Sequence, residues 1–214
     1  MPGVTLDVLL RRGPLESNEI ARLGAQLARG LSAAHMAGVV HRDIKPGNLR
    51  VTPEGLLKIL DFGVATFAAG GPRAATATTA IETTPSLAGT IQYMAPERLR
   101  GDRADPRADI FSAGAVLYEM ACGRPPFSDP HPVRLIEAIL NGKVPRPSQV
   151  NRRVPAALET IILRALDPHP ARRFARAGDL ARALEGVIVP ASTPRSSLPS
   201  LMRWTTRMAA ILAW

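Results

Sequence analysis

Cysteine is almost missing from this chain: Cys122 is the only one in 214 residues. A lone thiol can neither close an internal disulfide nor build a thiolate zinc site, so a disulfide-stapled secreted scaffold is excluded. Lysine is nearly as scarce. Lys45, Lys58 and Lys143 stand alone among 27 basic residues, the rest being arginine, against 18 acids. The formal charge of +9 would suit a phosphate-bearing or acidic partner. The arginines are scattered rather than clustered, however, and aromatic residues are only 4% of the chain, too few for base-stacking platforms. Nucleic acid is therefore not expected as a partner. No run approaches the ~20 apolar residues of a spanning helix, and Met1-Pro2-Gly3 does not open a signal peptide. What remains is 46% hydrophobic and 21% charged, which excludes wholesale disorder and fits a folded globular chain.

Hydrophobic spacing predicts a mainly helical fold. In Leu15 to Ala37, Ile20, Leu23, Leu27, Leu31 and Ala34 recur at helical intervals, with Ser17 as N-cap and Gly38 as the stop. Two short apolar runs, Leu49 to Thr52 and Leu56 to Leu60, flank Pro53-Glu54-Gly55 and predict a β-hairpin. Ala68 to Thr84 is small and polar, a loop composition. Ala108 to Met120 is apolar around its whole circumference, the pattern of a buried central helix. Val133 to Leu140, Pro155 to Leu166 and Gly178 to Leu184 predict three more amphipathic helices. From Val189 the composition changes to a Pro- and Ser-rich linker.

The residues able to do chemistry sit on either side of the hairpin. His41-Arg42-Asp43-Ile44-Lys45-Pro46-Gly47-Asn48 precedes it, and Asp61-Phe62-Gly63 follows it. Singly, Asp43 reads as a turn cap and Asn48 as a partner for loop backbone. Together, in this order, followed by Gly89-Thr90, Ala95-Pro96-Glu97, Asp109 and Arg173, they match the protein-kinase signature set. The chain resembles eukaryotic-like serine/threonine protein kinases, particularly the bacterial ones, from about Thr5 to Leu184.

The resemblance implies a kinase-like C-terminal lobe: a helical bundle with a small β-hairpin at the catalytic cleft, the N-terminal β lobe absent. It also implies transfer of the ATP γ-phosphate to Ser/Thr hydroxyls of protein substrates, with Mg²⁺ (or Mn²⁺) as the metal. Asp43 takes the role of base and Lys45 that of a point charge on the transferred phosphate. Asn48 and Asp61 supply the hard oxygen ligands that magnesium needs. His41 is a packed structural residue beneath Phe62, Asp109 an anchor for the catalytic loop, and Glu97 with Arg173 a buried ion pair. Asp61 to Glu97 resembles an activation segment: Arg42 would meet a phosphate on it, Thr84 being the first candidate acceptor, and Thr90 would bond Lys45 and Asp43.

The sequence holds no glycine-rich phosphate loop, and no lysine precedes Lys45. Met1 to Leu6 resembles the segment leaving the adenine pocket. The reading is thus residues 1–188 as a kinase C-terminal lobe cut at the hinge and 189–214 as a linker with a short apolar tail. That tail offers a route to the cytoplasmic side of a membrane in a longer parent; otherwise the location is cytoplasmic. The alternative is a pseudokinase-like scaffold that binds protein partners without catalysis. Oligomeric state is not fixed by the sequence.

Overall fold

The computed structural model describes residues 2–61, 66–67, 90–102 and 105–188. Strand β1 (Val4–Thr5) runs into helix α1 (Leu6–Leu10), and the long helix α2 (Ser17–Met36) follows. Strand β2 (Val39–Val40) leads through a 3₁₀ turn at Pro46–Asn48 into strands β3 (Leu49–Val51) and β4 (Leu57–Ile59), and strand β5 is Thr66–Phe67. The helices after it are α3 (Pro96–Leu99), α4 (Pro106–Cys122), α5 (Pro132–Asn141), α6 (Pro147–Val150), α7 (Ala156–Ala165) and α8 (Ala177–Glu185). Both sheets are antiparallel: β1-β3-β4 in one, β2-β5 in the other. Among the described residues no helix is long and apolar enough to cross a membrane.

The predicted helices and hairpin appear within two residues of their expected ends, but the start of α2 differs. Glu16, not Ser17, is the extended N-cap residue, and Ser17 is the first helical one. The Leu15 N–H is already bonded to the Met120 carbonyl at 2.8 Å, and the Ile20 N–H reaches the Glu16 carbonyl at 2.9 Å. That anchoring starts the helix where its apolar face meets the core, and a hydroxyl cap is not used. At the far end Gly38, at φ 74, takes the left-handed turn that few other residues adopt cheaply. Helix α1 and strand β1 carried no clear periodic signal, being too short to show one. The loop predicted over Ala68 to Thr84 and the segment 189–214 lie outside the described residues.

Helix α4 is the axis of the core. Every residue from Ala108 to Tyr118 is buried, as the all-round apolar sequence requires. Asp105 caps it by accepting the Arg107 N–H at 2.8 Å, and left-handed Gly123 ends it. Helix α2 packs against α4 and α8, and α7 packs against α4 as well. Gly114 makes that second contact close: a Cβ there would sit 2.8 Å from the Ala165 Cβ and 3.2 Å from its backbone. The hairpin hangs from α2. Gln26 donates from its amide to the Gly55 carbonyl at 3.3 Å and accepts the Leu57 N–H at 2.9 Å, while Arg22 donates to the same carbonyl at 2.5 Å.

Adding branched bulk at the α4–α7 crossing should therefore force the helices apart. Gly114→Val is expected to cost about 1–3 kcal/mol, as overpacked cores do. For a chain of this size that lowers the melting temperature by about 2–4 °C per kcal/mol. Thermal unfolding followed by circular dichroism checks it, and an unchanged midpoint would refute the close crossing.

Candidate active site

The site is assembled on the loop between β2 and β3 and on the strand ends it feeds. Ile44 and Pro46 are buried and pin the loop to the core, so the residues between and after them are presented rather than packed. Lys45 and Asn48 converge on one atom, the Asp43 Oδ2: Lys45 Nζ lies 2.9 Å away and Asn48 Nδ2 2.8 Å away. The Asn48 amide also donates to the Asp43 carbonyl at 2.8 Å. Both acceptors require the NH₂ end of the amide, so the Asn48 side-chain oxygen is the end left for another partner. The Lys45 ammonium reaches on to Thr90 Oγ1 at 3.1 Å. Thr90 therefore meets Asp43 through Lys45.

The hairpin carries Asp61 to the same edge. Pairing of Leu49 with Ile59 and the bond from the Leu60 N–H to the Asn48 carbonyl, 2.8 Å, put Asp61 one residue beyond the Asn48 register. Asp61 is exposed and left-handed, at φ 51. An amide oxygen freed by its own hydrogen bonds and an exposed carboxylate make a donor set suited to a hard cation that retains several waters, as Mg²⁺ does. The residues present fit the metal.

Beneath the loop lies a carboxylate with no access to solvent. Asp109, on the first turn of α4, accepts the His41 N–H, the Arg42 N–H and the His35 ring Nε2–H, each at 2.8 Å. His41 is fully buried. Its Nδ1 accepts the Asp43 N–H at 3.2 Å, so its Nε2 carries the proton and donates to the Leu60 carbonyl at 3.0 Å. The ring thereby ties the Asp43 backbone to the end of β4, and it is not presented as a base. Phe62, expected above it, and Thr84 both lie outside the described residues.

Farther from the cleft, Glu97 and Arg173 form a buried bidentate pair at 2.6 and 2.8 Å. Arg173 is otherwise saturated. It donates to the Asp167 and Arg107 carbonyls at 2.7 and 2.9 Å and lies 4.9 Å from the centre of the Phe111 ring. This pair joins α3 to the turn before α8.

Several contributors had escaped sequence reasoning. His35 carries no motif of its own; only its place one turn before Gly38, at the end of α2, hinted at a function. Tyr93 donates to the Glu119 carboxylate at 2.5 Å, and the Ser112 hydroxyl donates to the Tyr93 carbonyl at 2.7 Å, which fixes strip 90–94 onto α4. Burial above all, and Asp7 to a lesser degree, raise the Glu119 pKa against the opposing effect of the Tyr93 bond.

The protein kinase domain family matches residues 1–183, and the chain belongs to that family. Among the relatives it matches are bacterial serine/threonine protein kinases. One, named drp72, from Corynebacterium efficiens, is 39% identical over 195 residues, covering 91% of this chain and 35% of the relative. PknD of Mycobacterium tuberculosis is 42% identical over 183 residues, covering 85% and 26%. PknL of the same organism is 32% identical over 198 residues, covering 92% and 48%. The chain thus spans between about a quarter and a half of the length of these relatives.

The buried Glu97–Arg173 pair makes a sharp stability prediction. Arg173→Met leaves a carboxylate buried without its cation and should cost about 3–5 kcal/mol, whereas Glu97→Leu with Arg173→Met should recover most of that loss. Urea unfolding of the three proteins is the measurement. A double variant no more stable than the single would contradict it.

Proposed function

We propose that this chain is the catalytic lobe of a serine/threonine protein kinase that transfers the γ-phosphate of ATP to hydroxyls on protein substrates. The observation that supports the reading is the convergence of Lys45 and Asn48 on Asp43, with Asp61 one residue beyond the Asn48 register of the hairpin. Phosphoryl transfer asks a protein chiefly for positioning and for neutralisation of charge. Asp43, with one oxygen held by two donors, accepts the proton of the attacking hydroxyl as the new oxygen–phosphorus bond forms. The bond from the γ-phosphorus to the bridging oxygen breaks, and ADP departs with that electron pair. Lys45, steadied by Thr90, places its charge on the moving phosphoryl group. Asn48 and Asp61 would hold Mg²⁺, which when bound neutralises phosphate oxygens.

Arg42, beside the catalytic aspartate, would pair with a phosphate on the segment between Asp61 and Glu97, Thr84 being the first acceptor to test. The wider parts of the reading rest on sequence: a 1–188 catalytic lobe, a 189–214 tail with a route to a membrane surface, and a cytoplasmic setting.

The 214 residues hold no second phosphate-binding lysine upstream of Lys45, so the chain by itself should transfer phosphate only weakly. Joined to the ATP-binding lobe of a related kinase, it should transfer ³²P from ATP to a generic protein substrate. Asp43→Ala should then reduce the rate by about 10²–10⁴-fold, the usual worth of a positioned base. No transfer from the joined protein, or transfer indifferent to Asp43→Ala, would favour the scaffold reading.

A further inference from the structure

Arg42 and Asp61 are the two non-glycine residues with positive φ among those described, and Arg42, at φ 68, directly precedes Asp43. A left-handed backbone is sterically costly for an arginine and persists where its surroundings over-determine it. Here the surroundings are specific. The Arg42 N–H is bonded to Asp109 Oδ1 at 2.8 Å. The next peptide, which joins the Arg42 carbonyl to the Asp43 N–H, is gripped at both ends. Its N–H donates to His41 Nδ1 at 3.2 Å, and its carbonyl accepts from the guanidinium of Arg98.

Arg98 is an unusual partner for a carbonyl. It sits on α3 beside Glu97, half-buried, and forms no ion pair with a carboxylate among the described residues. Burial first, and the Arg42 guanidinium second, pull its pKa below the ordinary arginine value, while Asp109, Asp43 and Glu97 act in the opposite direction. A guanidinium has thus been taken out of water and set near another cation, and the hydrogen bond it makes is to one backbone oxygen. Charge-assisted bonds of this kind are stronger than neutral ones. Without it, the 42–43 peptide would keep a single long bond to an imidazole, and rotation of that peptide would swing the Asp43 side chain.

We propose that Arg98 is a positioning residue whose guanidinium, by holding the Arg42 carbonyl, locks the 42–43 peptide and so aims the Asp43 carboxylate. Its relevance to catalysis rests on the reading of Asp43 given above. The lock itself is a property of the chain without nucleotide. It also couples the loop to α3, whose neighbouring Glu97 is fastened to Arg173, so displacement of α3 reaches Asp43 through one side chain.

Amide hydrogen exchange, resolved by residue in the full 214-residue chain without nucleotide, tests the lock independently of phosphoryl transfer. Arg98→Met keeps length and removes the donors. It should speed exchange of the Asp43 N–H by about tenfold or more while the amides of α4 exchange as in the unchanged protein. Arg98→Lys, which restores a cationic donor, should bring the Asp43 rate back toward the original. Three results would each overturn the proposal: an unchanged Asp43 rate in Arg98→Met, acceleration spread equally through α4, or no recovery in Arg98→Lys. Should Arg98→Met not fold, Arg98→Ala takes its place in the same comparison, with Arg98→Lys again as the variant that restores the donor. Failure of the kinase reading would show instead as Asp43-independent transfer, with these exchange rates unaltered.

Discussion

The buried carboxylate of Asp109 is the constraint from which the site follows. An ionised group with no solvent contact is costly unless its oxygens are satisfied, and here two backbone N–H groups and one imidazole satisfy them. The two main-chain donors are consecutive residues of the loop that carries Asp43, so solving the electrostatic problem of α4 also fixes the start of that loop. The base of the fold and the chemistry above it share one atom group. Because α4 is packed on all sides, that group cannot shift to follow the loop; the loop must come to it.

From this anchor the arrangement builds outward. His41 passes the restraint to the end of β4 through the Leu60 carbonyl, and β4 carries Asp61. Arg22 and Gln26 hold the turn of the same hairpin from α2. Asp43, Asn48 and Asp61 are thus steadied by helices α2 and α4, which belong to one hydrophobic core. Asp43, Lys45 and Asn48 themselves are only partly buried, and Asp61 is exposed.

How much of this could be read from sequence depends on the range of the interaction. Asp43, Lys45 and Asn48 lie within six residues, and their mutual contacts are a local matter that a motif captures. The long helices are legible because apolar spacing extends over many residues. Glu97, Asp109 and Arg173 were identifiable through resemblance, since nothing in their neighbours says that they face inward. His35, Arg98, Gln26 and Tyr93 were not identified: each acts by one or two long-range bonds to a side chain or to the backbone, and such bonds leave no pattern in the flanking sequence. The misplaced cap at Ser17 has the opposite origin. A sound local rule yielded to a tertiary bond between Leu15 and Met120 that set the helix start.

Two of the three donors to Asp109 are main-chain N–H groups, and this has a consequence for how the sequence can drift. A main-chain donor is supplied by every residue except proline, so the anchor does not inspect the side chains at 41 and 42. Those positions can exchange side chains without loosening the joint, subject only to their other duties. Position 109 has no such latitude: asparagine would turn an N–H toward donors, and glutamate would overreach. Evolutionary freedom in this loop is therefore distributed by which half of each residue does the bonding.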